Sequence, residues 1–211
     1  MPRTARDQSA TGIYHVMIRG INRQDIFDAP EDYRKFIETL ASLRALVTGT
    51  GAWVYPDACP REYSSTLMFV TFFIGLIDMK TGQLDFCNCG HCAPVIGDGE
   101  GHASFIKMLP NLPIGIFPKY KFKGEKIDNI KGKYLFIYTD GLDEAENLKQ
   151  ELFGKNRLLE VFRSKTSDKA NQAIETMTAE VEKHRNGAEP NDDLTMMCIN
   201  IKNHNEYDYQ D

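Results

Sequence analysis

The sequence has no apolar run long enough to cross a membrane, and its basic start is not followed by the apolar core of a secretion signal. The longest apolar stretch, Leu67–Ile77, is short and is interrupted by Thr71 and Gly75. These absences predict a cytoplasmic protein without a membrane partner. Positive charge is not in excess either. The net charge of −5 gives no general reason to expect nucleic acid as a partner.

The cysteines and histidines are not spaced as in a familiar structural metal motif. Five cysteines are an odd number in a chain without a secretion signal, so free thiols are expected and a disulfide framework is not. Cys87, Cys89, His91 and Cys92 are clustered, but no second Cys/His pair lies nearby to complete a closed zinc site. We predict small buried side chains at strand spacing for Cys87 and Cys89, with zinc binding as the alternative. His91 lies in a corner sequence, where we expect it to satisfy backbone groups.

The first 47 residues predict a strand followed by a helix. Residues 13–18 favour a strand, while a capping box at Asp28 and Glu31 and apolar side chains at helical spacing predict a helix over 29–47. The phrase GIYHVMIRGINRQDIF followed by DYRKF resembles the N-terminus of the REP-associated tyrosine transposases over about the first 40 residues. The paired metal-binding histidines of those enzymes are absent, so their DNA-cutting chemistry is not expected. Residues 48–66 are interpreted as a junction.

From residue 67 the pattern becomes that of a β-rich domain. The apolar run of residues 67–79, the turn at Lys80–Gly82 and residues 83–97 predict a hairpin whose first strand is buried on both faces. Residues 119–129 predict an edge strand. Leu158, Leu159 and Phe162 indicate a short helix, and apolar side chains from Ala170 to Val181 indicate a longer one that ends at Asn186 and Gly187.

Two acidic sites stand next to apolar strands in the second half of the chain. The segment KYLFIYTDG, residues 133–141, predicts a buried strand that presents Asp140 at its end, next to Gly141, whose missing Cβ would let water or substrate approach. A simple turn is the alternative. Asn191, Asp192 and Asp193 precede the apolar run LTMMCINI, which predicts a last core strand. The acidic run after Gly141 fits a helix or turn N-terminus.

Residues 67–202 resemble the C-terminal part of the metal-dependent protein phosphatases (PPM family) of the stage II sporulation protein E type. The matching phrases are MFVTFFIGLIDMKTGQLDFCNCGHCAPVI, LPIGIF, YLFIYTDGLDEAEN, ELFGKNRLLE and NDDLT. The resemblance implies an α+β fold, a partial antiparallel β-sandwich flanked by helices, preceded here by the short strand-helix segment. It implies two Mn²⁺ or Mg²⁺ ions, a site that includes Asp140, Gly141 and Asp192, and support from Asp193, Asn191 or His91.

The resemblance implies metal-dependent hydrolysis of phosphoserine or phosphothreonine in a bacterial signalling protein, such as an anti-sigma-factor antagonist. The glycine-rich strands that hold the family's metal-bridging aspartates are not found in residues 1–66, so the predicted site is incomplete. Two alternatives follow: a catalytically dead phosphatase-like binding module or chimeric fragment, and a DNA-binding transposase remnant. The missing strands would leave exposed sheet edges, which a homodimer could cover. Residues 203–211 are expected to be a polar tail.

Overall fold

The computed structural model describes Arg34 and residues 69–78, 80–114, 116–117, 120–164 and 170–203. The chain divides into two compact units, Met1–Thr39 and Leu40–Asp211, and the first is described only at Arg34, which is helical and exposed. The predicted segment 1–47, the junction 48–66 and residues 204–211 of the tail otherwise lie outside the described residues. Within the described part of the chain, no helix has both the length and the apolar character needed to cross a membrane.

A three-stranded antiparallel sheet begins with the predicted hairpin. Strand β1 (Phe72–Ile77) pairs with β2 (Leu84–Cys89), and Asp78 caps the turn by accepting the Lys80 N–H at 2.7 Å. Strand β5 (Glu125–Ile127) pairs with the other side of β2, so β2 is central among the described strands. The expectation that the first strand is buried on both faces is wrong. Strand β1 is the outer strand of this sheet among the described residues and has no fully buried residue, whereas five of the six residues of β2 are buried.

The chain changes sheets directly after β2, at the corner that contains His91, so only the first part of residues 83–97 is the hairpin partner that the sequence predicts. Gly90 adopts a left-handed φ of 75°, and Asn88 binds both backbone groups of His91, at 2.9 Å and 2.8 Å. This turn ends the first sheet and leads into β3 (Val95–Gly97) of a second sheet. The second sheet has the order β4-β3-β6-β7, where β4 is Ala103–Phe105, β6 is Lys133–Tyr138 and β7 is Met196–Ile201.

Strand β6 shows how the layers are built, because its side chains alternate between two cores. Leu135 packs with Leu84 and Phe86 of β2 in the core between the sheets. Phe136 and Tyr138 face the opposite core, which the helices α1 (Gly154–Ser164) and α2 (Ala170–Arg185) cover. Two sheets with helices on one outer face form a partial β-sandwich in an α+β fold, as predicted. The two helices predicted after β6 are present, and the helix predicted over 29–47 lies outside the described residues except at Arg34.

Cys87 and Cys89 have the burial that the sequence predicts. Cys87 and Cys89 are fully buried free thiols with their sulfurs 3.8 Å apart.

The acidic run after Gly141 is not at a helix N-terminus: residues 140–144 form turns, and α1 begins only at Gly154. The side chains of this run are therefore positioned by turn geometry and not by a helix dipole.

Candidate functional site

The last residue of β6 and the first residue of β7 lie at the same rim of the four-stranded sheet. The two strands are antiparallel, and Tyr138 is opposite Met196. Asp140 follows β6 and Asp192 precedes β7, so both aspartates lie at this rim, and both are exposed to solvent. The structure therefore brings together the two segments that the sequence singles out as sources of metal ligands.

Gly141 allows these two segments to touch. It is buried, and a Cβ at this position would lie 2.5 Å from the carbonyl oxygen of Asp193 and 2.9 Å from its carbonyl carbon. Only a residue without a side chain fits this approach of two backbones. The expectation that Gly141 opens the site to water is therefore wrong. The space beside its Cα is filled by the loop that carries Asp192 and Asp193.

Thr139 joins the same two segments through hydrogen bonds, a role that the sequence does not reveal. Its backbone N–H donates to the Thr195 carbonyl at 3.0 Å, and its Oγ1 donates to the Asp193 carbonyl at 3.0 Å. The same Oγ1 accepts the Thr195 N–H at 2.9 Å. The hydroxyl thus extends the β6–β7 pairing by one step and fixes the carbonyl of the residue next to Asp192.

Replacing Thr139 by valine should lower the free energy of unfolding by about 1–2 kcal/mol, because an isosteric side chain leaves two backbone groups without their partner. Replacing it by serine, which keeps the hydroxyl, should cost less. Urea unfolding of both variants and the parent measures the difference. Equal stability of the valine variant and the parent would show that water replaces these bonds at no cost.

Asn191 binds the loop that follows Asp140 through two hydrogen bonds. Its Nδ2 donates to the Glu144 carbonyl at 2.8 Å, and its Oδ1 accepts the Glu146 N–H at 3.4 Å. The Glu144 N–H in turn donates to the Asp140 carbonyl at 2.9 Å. The support expected from Asn191 is therefore a structural contact between the two acidic loops.

The carboxylates of Asp140 and Asp192 keep oxygen atoms available for a ligand. One oxygen of each accepts the N–H of the following residue, at 3.2 Å for Asp140 and 2.6 Å for Asp192. Oxygen donors of this kind suit hard cations such as Mg²⁺ and Mn²⁺. Among the described residues, however, no group of three or more His, Cys, Asp or Glu side chains is arranged to hold a metal ion. Carboxylate oxygens suit the predicted metal, and the assignment of Asp140 and Asp192 as its ligands remains a prediction.

His91 lies within electrostatic reach of Asp140. Burial lowers the pKa of the His91 imidazole, and the charge of Asp140 opposes this shift. The ring makes no hydrogen bond with another described residue. Among the described residues, it is the side chain of Asn88, and not the His91 ring, that satisfies backbone groups in this corner.

A buried polar cluster next to this rim was missed at the sequence level. Asp143 is only 9% exposed, and its Oδ1 has no hydrogen-bond partner among the described residues. Burial raises the pKa of Asp143, with Lys155 opposing the shift and Asp140 adding to it. Cys92 and Tyr138 lie close enough for the charge of Asp143 to add to the effect of burial in raising their pKa values, that of Cys92 to about 12. An acidic run next to an Asp-Gly pair gave no signal that one of its carboxylates would be buried.

A model of the stage II sporulation protein E (SpoIIE) family matches residues 32–202. The chain belongs to the SpoIIE family. The resemblance inferred from the phrases in residues 67–202 is thus confirmed, and the family match begins earlier in the chain. The transposase resemblance of the first 40 residues finds no support in these comparisons, and the predicted domain boundaries remain predictions.

Relatives of this SpoIIE-family chain include solved phosphatase domains. Protein IcfG of Synechocystis sp. is 30% identical over 143 residues, which are 68% of this chain and 22% of IcfG. The SiaA-PP2C domain of Pseudomonas aeruginosa has a TM-score of 0.59 at 17% identity and covers 82% of this chain and 71% of that domain. The Mn-presoaked phosphatase domain of SpoIIE from Bacillus subtilis has a TM-score of 0.57 at 13% identity, covering 86% and 78%. These structures share the fold, and the chain spans about a fifth of the length of IcfG.

Proposed function

We propose that this chain is a protein serine/threonine phosphatase that depends on Mn²⁺ or Mg²⁺ and acts in the cytoplasm. Its substrate would be a phosphoserine or phosphothreonine protein of bacterial signalling, of the anti-sigma-factor antagonist class. The observation that carries the proposal is the contact between Gly141 and the Asp193 backbone, which holds the loops of Asp140 and Asp192 together at one rim.

In this proposal, the residues of the chain have separate tasks. Asp140 and Asp192 provide carboxylate oxygens for the metal, while Thr139 and Asn191 fix the two loops relative to each other. A divalent ion, when bound, supplies an activated water and neutralises the phosphoryl oxygens. The exposed rim leaves these carboxylates accessible to a phosphorylated side chain of another protein.

A phosphatase-like binding module without catalysis is the second candidate. It is favoured by the absence of a third acidic or histidine ligand beside Asp140 and Asp192 among the described residues. It is also favoured by the missing glycine-rich motifs in residues 1–66. Such a module would bind the same phosphoprotein without releasing phosphate. The DNA-binding interpretation rests on about the first 40 residues alone and remains a prediction, as does the homodimer.

Hydrolysis of p-nitrophenyl phosphate by the full chain separates the two candidates. We expect turnover with Mn²⁺ or Mg²⁺, its loss when EDTA removes the metal, and its return when Mn²⁺ is added in excess, because the proposed chemistry needs the ion. Calorimetric titration of Mn²⁺ into the metal-free chain gives an independent measure of the site. Mn²⁺ binding without turnover would favour the binding module, and turnover that survives EDTA would refute a metal-dependent mechanism.

A further inference from the structure

Exposed apolar side chains are concentrated on a short turn beside the acidic rim, residues 146–152, which we refer to as the leucine turn. Leu148 is 68% exposed and Leu152 is 52% exposed, so this turn carries two of the three most exposed large hydrophobic side chains that the structure describes. Neither leucine belongs to a hydrophobic core of the described residues. A single exposed leucine is normal in a folded protein, whereas two on one short turn mark a candidate contact surface.

The leucine turn is fixed by the side chain of Asn147. Its Oδ1 accepts the Lys149 N–H at 2.8 Å and the Glu151 N–H at 3.0 Å, and its Nδ2 donates to Oε2 of Glu151 at 2.8 Å. The Asn147 N–H also donates to the Glu151 carbonyl at 3.1 Å. Gln150 has a left-handed φ of 62°, which residues with a side chain rarely adopt. A preformed surface of this kind binds a partner without the cost of ordering the turn.

The leucine turn is bonded directly to the loop that carries Asp192. The Glu146 N–H donates to Oδ1 of Asn191 at 3.4 Å, and Asn191 directly precedes Asp192. Leu148 is two residues from Glu146, and Leu152 pairs with Glu146 in an antiparallel bridge. The Cα atoms of both leucines therefore lie within about 7 Å of the Glu146 Cα. A protein that places a phosphorylated side chain at the rim brings its neighbouring residues within reach of this turn.

The charge of the rim favours one kind of partner for the leucine turn. Asp140, Glu144, Asp192 and Asp193 are all exposed beside the turn. An anionic membrane surface would meet these carboxylates with charge of the same sign, and a second copy of the chain would bring its own acidic rim to the same place. Another protein with an apolar side chain is free of this repulsion. Because Asn191 joins the turn to the rim, one such protein can contact both.

We infer that the leucine turn is a docking surface for the phosphoprotein substrate, where Leu148 and Leu152 contact an apolar side chain near the phosphorylated serine or threonine. This inference rests on the proposed function for the identity of the partner. An extended chain advances about 3.4 Å per residue, so the apolar side chain lies about two to five residues from the phosphorylated one. The turn thereby selects among phosphoproteins through a contact that does not involve the reacting atoms.

Direct binding tests the inference without turnover. Fluorescence anisotropy with the full chain and Mn²⁺ compares alanine-based peptides that contain a non-hydrolysable phosphonate analogue of phosphoserine and one leucine or one serine, placed in turn at each position up to about five residues away. At one or more positions the leucine peptide should bind about fivefold more tightly, as expected when roughly one or two methylene groups are buried. Leu148→Asn should reduce this preference to less than about twofold. Leu76→Asn changes an exposed leucine beside the hairpin turn of the first sheet and, as the matched control, should keep it.

Methyl NMR spectra of the leucine-labelled chain give a second readout, which reports the place of contact. The Leu148 methyl signals, identified by their absence from Leu148→Asn, should shift when the leucine peptide is added, and those of Leu76 should not. Signals of Leu148 that do not move would overturn the inference, as would equal affinity of the leucine and serine peptides at every position.

Other occupants of the leucine turn give distinct results. A dimer in analytical ultracentrifugation, or binding to phosphatidylglycerol vesicles, that Leu148→Asn abolishes would overturn the inference, because a second copy or a membrane would then cover the turn. Phosphate release from p-nitrophenyl phosphate without a leucine preference would refute the docking surface alone. A leucine preference without phosphate release would refute only the catalytic proposal.

Discussion

Replacing Asp140 by asparagine is expected to lower Mn²⁺-dependent hydrolysis of p-nitrophenyl phosphate by at least about 100-fold, since asparagine keeps the size of the side chain but not the charge that balances a divalent ion. Asp192→Asn should have an effect of the same order, because the two carboxylates lie at one rim on touching loops. The measurements are kcat/KM at saturating Mn²⁺ and the Mn²⁺ dissociation constant from calorimetry. Both kcat/KM and the Mn²⁺ dissociation constant should change, because removing a carboxylate ligand lowers activity by weakening metal binding.

Asp193→Asn is the natural comparison, because Asp193 has the same side chain and is also exposed. The backbone carbonyl of Asp193 accepts the Thr139 hydroxyl at 3.0 Å and packs against Gly141. The substitution leaves this backbone carbonyl in place. The loss of kcat/KM should therefore stay below about tenfold, as expected for an indirect effect on a site. A larger loss for Asp193→Asn than for Asp192→Asn would show that the ligand is the second aspartate of the pair. Full activity of Asp140→Asn would remove the metal site from this rim.

Most of the described strands and the helices α1 and α2 could be predicted from local patterns. Strand β6 is a short run of aromatic and β-branched residues before Asp-Gly, and α2 repeats apolar side chains at helical spacing until Asn186 and Gly187, both at positive φ. Such signals lie within a few residues of each other, so they are visible in one sequence. The predicted hairpin is correct for the same reason: its turn residues and its two strands are adjacent in the chain.

The change of sheet after β2 was missed because it depends on contacts that the local pattern does not show. The apolar character continues through residues 83–97, but Gly90 packs against Pro113, which lies in a distant loop. The side chain of Asn88 then closes the turn by binding the backbone of His91. Asn-Cys-Gly-His could equally continue a strand on composition alone. A Cβ at residue 90 would lie 2.6 Å from the Pro113 side chain, so the turn at Gly90 also depends on a loop that is distant in sequence.

Some residues of the site could be predicted from their neighbours in the sequence, whereas the roles of others depend on contacts between residues far apart in the sequence. Asp140 and Asp192 were found through the motifs that surround them, and their meeting at one rim follows once β6 and β7 pair. The bonds that fix this meeting, from Thr139 to Asp193 and from Asn191 to Glu144, join residues far apart in sequence. The burial of Asp143 likewise depends on where α1 packs. Side chains of these types are common in exposed turns, so their roles could not be assigned in advance.

Gly141→Ala is expected to lower the free energy of unfolding by about 2–3 kcal/mol, the upper part of the range seen when a group is forced into a filled space. The clash is with the backbone of Asp193, at 2.5 Å and 2.9 Å from the added Cβ, so no rotation of a side chain can relieve it. The loop that carries Asp192 must move away from Asp140 instead. Mn²⁺ affinity should therefore fall together with stability, and urea unfolding and calorimetry measure the two effects on one sample.

Gly187→Ala separates this steric effect from the general cost of replacing a glycine. Gly187 has a φ of 89°, and nothing lies within 4 Å of an added Cβ, so alanine there should cost only about 1 kcal/mol through backbone strain. It should leave Mn²⁺ affinity unchanged, because the two acidic loops keep their contact. If Gly141→Ala matched Gly187→Ala in both stability and Mn²⁺ affinity, the close approach of Gly141 and Asp193 would not be what holds Asp140 and Asp192 together. The proposed metal site depends on that approach together with the hydrogen bonds of Thr139 and Asn191, because each aspartate lies in an exposed segment just outside its strand.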